Sequence, residues 1–322
     1  MRAADESRHA MVFYARKVMR PAIALGLFLS CVAVLLVVES EAAAARAATP
    51  VTLSSGLSAS RATIPVSING RRASCILDTG SSAILVSPML ARDAGLSGEG
   101  GTFEVAPDGR TFADRETEIS RFAVSRFAVR DVHALISSNL TGNNALCGYD
   151  FFTRFPSLID RDRRTVTLFP APSKIAHMHC LHVDLAPRVP LATVEINGTW
   201  LNQIVLDSGM SGGGALWDGV RDRLRSPLVS GASDTDQPPT RHGFSCEASA
   251  FVRFATGTPP SSMPMCTEEQ RPDGYNGIIE TNLPDVHAMA VDYPHRRICF
   301  DVASFSQAWS RFNNLRSGAL SP

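Results

Sequence analysis

Ser74-Cys75-Ile76-Leu77-Asp78-Thr79-Gly80-Ser81-Ser82 runs an apolar stretch straight into an acid, followed at once by a hydroxyl residue, a glycine and two serines. An acid closing a buried strand faces desolvation and needs hydrogen-bond donors. Thr79, Ser81 and Ser82 are the nearest candidates, and Gly80 lets the backbone turn close to the carboxylate. Taken alone, the pattern is a strand followed by an Asx-type turn.

The pattern is not alone. Gln203-Ile204-Val205-Leu206-Asp207-Ser208-Gly209-Met210-Ser211 repeats it. Ile68-Asn69-Gly70 precedes the first acid, and Ile196-Asn197-Gly198 precedes the second. Asn-Gly is a strong hairpin signal, so each copy reads strand, tight turn, strand, Asp. Leu158-Ile159-Asp160 likewise has a counterpart in Ala290-Val291-Asp292. The acids at 78 and 207 lie 129 positions apart, and those at 160 and 292 lie 132 apart. This is the duplication of a whole domain, too long a period for a solenoid.

Length agrees, since 322 residues suffice for about two domains. Formal net charge is +0, and no basic stripe interleaves with aromatics, so nucleic acid is not an expected partner. No glycine-rich phosphate loop follows a strand, and no cofactor is expected. Arg16, Lys17 and Arg20 precede an apolar run from Pro21 to Val38, then alanine-rich sequence with Ala45-Arg46-Ala47 as the preferred cleavage site. Residues 1–48 therefore read as a secretory signal peptide or a membrane anchor, and the rest as exported, periplasmic or extracellular. Any membrane contact is expected through this segment alone.

The remaining divisions are 49–172 and 173–305, the two copies, and a tail at 306–322 in which Trp309, Phe312 and Leu315 suggest a short amphipathic helix. Cys31 belongs to the leader, leaving six cysteines for an oxidising compartment. Connectivity stays open. Cys246 with Cys266 is the preferred pair, Cys180 with Cys299 another, and Cys75 and Cys147 are buried thiols or a bridge. Ser87-Pro88 to Gly95 predicts a short helix, with a second helical segment after Trp217. Ala106-Pro107-Asp108-Gly109 predicts the tip of a β-hairpin. His177, His179, Cys180 and His182 invite a metal, but no second ligand cluster completes a set, and a strand with surface histidines is expected.

Two similar halves, each ending a strand in an acid, imply a pseudo-twofold site where Asp78 and Asp207 meet. Two touching carboxylates share one proton, so one takes a proton from water while the other gives one to a carbonyl. The aspartic-protease dyad is the established example of such a pair. Leu77-Asp78-Thr79-Gly80-Ser81-Ser82, Ala145-Leu146-Cys147-Gly148 and the repeated Asp-Ser-Gly resemble a bilobal aspartic protease, the first half most closely the bacterial retropepsin-like aspartyl proteases.

The resemblance implies an all-β fold of two β-barrel lobes related by a pseudo-twofold axis. It implies Asp78 and Asp207 as the catalytic pair in a two-lobed monomer acting on peptides or proteins. Thr79 and Ser208 would bond across the axis, Gly80, Ser81 and Gly209 would shape the loops, and Pro107, Asp108 and Gly109 would form a flap. The second half departs from the pattern. Met210 follows Asp-Ser-Gly, Gly212-Gly213-Gly214 loosens the loop, and Glu280 of Gly277-Ile278-Ile279-Glu280 stands where the first half has Gly148. A carboxylate there either sits close to Asp207 and raises its pKa or points outward.

Three rivals remain. Gly209-Met210-Ser211-Gly212-Gly213 also fits the Gly-x-Ser-x-Gly elbow of serine hydrolases, with His242, His287 or His295 as base, though helix–strand alternation is missing. The others are a peptide-binding protein that lost catalysis, and a homodimer of first lobes with a structural second lobe.

Overall fold

The computed structural model describes residues 51–58, 61–105, 111–169, 178–210, 213–217, 219–230, 245–254, 260–268, 274–283 and 286–302. The leader, the hairpin tip at Pro107, Asp108 and Gly109, His177, Ser211 and the tail lie outside these residues.

The first half contains β1 (Val51–Ser54), β2 (Gly56–Ser58), β3 (Arg61–Ile68), β4 (Arg71–Leu77) and β5 (Ile84–Val86). Helix α1 (Pro88–Asp93), β6 (Glu99–Val105), β7 (Thr111–Ile119), β8 (Phe122–Val124) and β9 (Phe127–Val129) follow. β10 (Val132–Ser137), β11 (Asn144–Cys147), the single turn α2 (Tyr149–Phe152), β12 (Ser157–Asp160) and β13 (Thr165–Leu168) complete it. The second half has β14 (His179–His182), β15 (Leu191–Ile196), β16 (Thr199–Asp207), β17 (Gly214–Trp217) and β18 (Val229–Ser230). It ends with β19 (Ser245–Arg253), β20 (Ser261–Glu268), β21 (Gly277–Glu280), β22 (Val286–Asp292) and β23 (Arg297–Val302). The fold is all-β and retropepsin-like, with two pseudo-twofold-related lobes.

Each lobe is built on the same ring of strands. In the second half the order β15-β16-β21-β17-β20-β19 closes when β19 pairs back to β15 through Glu195–Arg253 and Ile196–Val252. In the first, β3-β4-β11-β5-β10-β7 closes through β8, which follows directly on β7 and pairs with β3. Both Asn-Gly turns have positive φ at both residues, 47° and 84° at Asn69-Gly70 and 47° and 79° at Asn197-Gly198, the primed turn that matches strand twist. The asparagine amides then tie the hairpin to the closing strand. Asn69 Oδ1 accepts from Arg121 N at 2.9 Å and Asn197 Oδ1 from Phe251 N at 2.8 Å.

A third, six-stranded sheet, β1-β13-β12-β22-β23-β14, takes three strands from each half. At its centre β12 and β22 run antiparallel, with Leu158 opposite Ala290. Those two residues are duplicates of one another in the sequence. Equivalent residues face each other only across a twofold axis, so the axis passes through this pair.

Helix α1 starts as its sequence predicts, with Leu90 N donating to Ser87 Oγ at 3.0 Å and Gly95 at φ 68° after its end. The second predicted helix is a 3₁₀ turn at Arg221–Arg223. α2 was not expected; it follows directly on Gly148, and its Phe151 and Phe152 are fully buried in the first lobe.

The cysteines resolve the open alternatives. Cys75 bonds Cys147, joining β4 to β11, and Cys180 bonds Cys299, joining the edge strand β14 to β23. Cys180 is thus no metal ligand. Cys266 is disulfide-bonded; the side chain of its expected partner Cys246 is outside the described part. In the second lobe the positions of Cys75 and Cys147 are held by Ile204 and Ile279. A Cys75→Val/Cys147→Val protein should therefore fold but lose about 4 kcal/mol in urea unfolding, the chain-entropy value for a loop of 72 residues.

Candidate active site

Leu77 and Leu206 end the apolar stretches of β4 and β16 and are fully buried; the next residue in each is the acid. Asp207 is buried and Asp78 half-buried. In the first lobe Asp78 N donates to Cys147 O at 3.1 Å, so β11 fixes where the chain leaves the strand.

The hydroxyl residues after the acids do something other than solvate their own carboxylates. Thr79 Oγ1 donates across the axis to Leu206 O at 2.7 Å, and Ser208 Oγ donates to Leu77 O at 2.9 Å. Each also accepts from the opposite amide, Ser208 N to Thr79 Oγ1 and Thr79 N to Ser208 Oγ, both at 3.0 Å. These four buried bonds cross-link the two loops. Ser81 Oγ donates to Ala83 O at 2.9 Å. The expectation that the Thr79 and Ser81 hydroxyls serve Asp78 is thereby corrected: each hydroxyl has one proton, and backbone carbonyls, Leu206 O and Ala83 O, take it.

Crossing the loops brings the acids together. Gly80 lies against the Asp207 carboxyl, where a Cβ would come within 2.5 Å of Cγ, and Gly209 lies against Asp78, where a Cβ would come within 2.2 Å of Cγ. Any other residue at either glycine would push the acids apart. Asp207 Oδ1 accepts from Gly209 N at 2.7 Å and Met210 N at 3.0 Å, and its side chain is hydrogen-bonded to that of Asp78. Burial pushes the Asp207 pKa above 3.8, and the Glu280 charge pushes the same way, against the lowering effect of those three hydrogen bonds.

Several residues with no signal in the repeat complete the surroundings. Buried Tyr293 donates its hydroxyl to Thr79 O at 3.3 Å, and burial, then Asp78 and Asp207, hold its pKa well above 10. Its duplicate in the first half is Arg161, so divergence hid it. Arg188, from the turn before β15, donates through Nε to Ser82 O at 2.9 Å and through Nη2 to Asp150 at 2.5 Å, with its guanidinium 4.8 Å over the Tyr149 ring. It clamps the second half onto the first acid loop. Asn282 Nδ2 donates to Ser208 O at 2.8 Å.

Residues 64–154 match the model of a family described as "gag-polyprotein putative aspartyl protease". The match spans Asp78-Thr79-Gly80 and the bracing Gly148 and stops short of Asp207. It supports an aspartyl protease of the retropepsin-like kind, and with it a peptidase hydrolase. No curated protein matches the chain. Of the residues in the serine-hydrolase alternative, Ser211 and His242 lie outside the described residues, and His287 and His295 each pair through Nδ1 with an acid, Asp162 at 2.8 Å and Asp292 at 2.9 Å.

Thr79→Ala strips partners from Leu206 O and Ser208 N. At about 1–3 kcal/mol per buried orphan it should cost ~2–6 kcal/mol in urea unfolding, whereas Thr79→Ser should stay within ~1 kcal/mol. Asp207 makes a second prediction. Its pKa is raised in the fold, so above 3.8 the native state holds more protons than the unfolded one, and this group's contribution falls as pH rises. Asp207→Asn should therefore gain stability relative to the wild type as pH rises above about 4, measured as the difference in Tm at each pH.

Proposed function

We propose that the protein is an aspartic endopeptidase that hydrolyses peptide bonds with a water held between Asp78 and Asp207. The observation that carries this reading is the hydrogen-bonded pair of acids, each presented by a loop cross-bonded to the other. Asp207, buried and raised in pKa, holds the shared proton and gives it to the carbonyl oxygen. Asp78 is the ionised base that takes a proton from water as the water attacks the carbonyl carbon. As the tetrahedral intermediate collapses and the C–N bond breaks, Asp78 gives its proton to the leaving amine and Asp207 takes one back from a hydroxyl of the intermediate. No metal and no covalent intermediate are needed.

The substrate is an extended peptide or protein segment, and the hairpin of β6 and β7 is the flap that covers it, with Pro107, Asp108 and Gly109 at the tip. The working form is the two-lobed monomer, because one chain supplies both acids. Its compartment is outside the cytoplasm: the basic–apolar–alanine leader favours export, and the Cys75–Cys147 and Cys180–Cys299 bridges suit an oxidising environment.

Digestion of a peptide library tests the function. The wild type should cleave with a bell-shaped dependence on pH, since one carboxyl must be charged and the other protonated. Asp78→Asn and Asp207→Asn should each lower kcat/KM by at least about a thousandfold while the fold persists, a loss typical of removing a central catalytic group. Ser211→Ala should cleave normally. An active Asp207→Asn beside a dead Asp78→Asn would instead favour a homodimer of first lobes, and a folded wild type that binds extended peptides but cuts none would favour the peptide-binding reading.

A further inference from the structure

The two acid loops differ at one point, and the difference is coordinated. In the first lobe the residue after β11 is Gly148, packed so tightly on Ser81 O and Ala83 O that a Cβ has no room. The parallel β4–β11 ladder there stops at Leu77 and Cys147. In the second lobe the corresponding β16–β21 ladder continues one step further, and Asp207 itself is paired with Glu280. The loop has been remade to admit the larger residue. Asp78 is six positions from the start of β5, whereas Asp207 is seven from the start of β17.

Gly213 then lies alongside Glu280 and exchanges two bonds with it. Glu280 N donates to Gly213 O at 3.0 Å, and Gly213 N donates to Glu280 Oε2 at 2.9 Å. Gly213 has φ 110°, and a Cβ on it would strike Pro264 O, so only glycine serves. Where the first lobe has Tyr149 N donating to Ser81 O, the second has Thr281 N donating to Asp207 O. The glutamate, the extra loop residue and Gly213 form one arrangement, and it places a buried carboxylate beside Asp207 at the position that Gly148 holds beside Asp78.

We propose that Glu280 is a positioning residue that fixes the shared proton of the acid pair on Asp207, leaving Asp78 as the base, and that it carries the active window toward neutral pH. The inference rests on the proposed protease function. The ionisable groups acting on Asp207 from the surrounding elements are Asp78 across the axis, Glu280 on β21 and Tyr293 beyond β22. Tyr293 titrates well above 10 and stays neutral throughout, and Asp78 is half of the symmetric pair. Burial first sets Asp207 apart from half-buried Asp78, and Glu280 adds a negative charge on the same side. Its negative charge makes loss of the Asp207 proton harder, in the direction already found for Asp207.

Three variants separate charge from shape. Glu280→Gln keeps the length and removes the charge, Glu280→Asn removes both, and Glu280→Asp keeps the charge on a shorter stem. In pH profiles of kcat/KM, Gln and Asn should move the alkaline limb toward acid by on the order of one pH unit, about a tenfold loss of rate above the wild-type limb. Asp should leave the limb near its wild-type position, even if it lowers stability more than Gln does. Carbon-13 carboxyl titration of Asp207 in wild type and variants should show the same shifts without any turnover. An unmoved limb and an unmoved Asp207 titration in folded Glu280→Gln, or an equal shift in Glu280→Asp, overturns the proposal. A wild type that cleaves no peptide defeats the protease reading, and the carboxyl titration still decides the role of Glu280.

Discussion

The four crossed bonds between Thr79 and Ser208 are the constraint on which the rest depends. Two carboxylates repel and lose hydration when pressed together, so nothing about Asp78 and Asp207 by themselves keeps them in contact. The work is done by neutral groups. Each hydroxyl donates to a strand-end carbonyl and accepts the opposite amide, and because the pattern is reciprocal neither loop can withdraw without leaving buried polar atoms unpaired. The glycines after them remove the only atoms that would stand in the way.

The halves are held in register from below by the shared six-stranded sheet, where Leu158 meets Ala290 on the same twofold axis. Hydrophobic packing supplies the bulk of that joint, with Ile159, Val166, Met289, Val291 and Ile298 all buried. Arg188 adds a polar clamp from one side only. The site is consequently symmetric where the acids are presented and asymmetric in what surrounds them: Arg188 and Asp150 behind the first loop, Glu280 and Gly213 beside the second. A reaction that asks one acid to give a proton and the other to accept one has use for that asymmetry.

Much of this was legible because the chain is a duplication. Asp-Thr-Gly and Asp-Ser-Gly at matching positions, each behind an Asn-Gly hairpin, locate both acids, and the Leu158 and Ala290 segments are recognisable as duplicates, while their pairing on the axis is a matter of the fold. The capped helix at Pro88 was equally plain, since its signals are local. α2 escaped notice because four residues carry no period. Tyr293, Arg188 and Asn282 escaped because their partners lie in remote parts of the chain and their duplicates are different residues.

The sequence by itself determined the strands, the turns and the two acids, because hydrophobic alternation, Asn-Gly chemistry and a strand that ends in Asp are properties of neighbours along the chain. Tertiary structure decided everything that depends on who is opposite whom. It sent the Thr79 and Ser208 hydroxyls across the axis rather than to the nearest carboxylate, and it paired Cys75 with Cys147 and Cys180 with Cys299. It also turned Glu280 inward to Gly213, an orientation that one added loop residue makes possible and that no local pattern encodes.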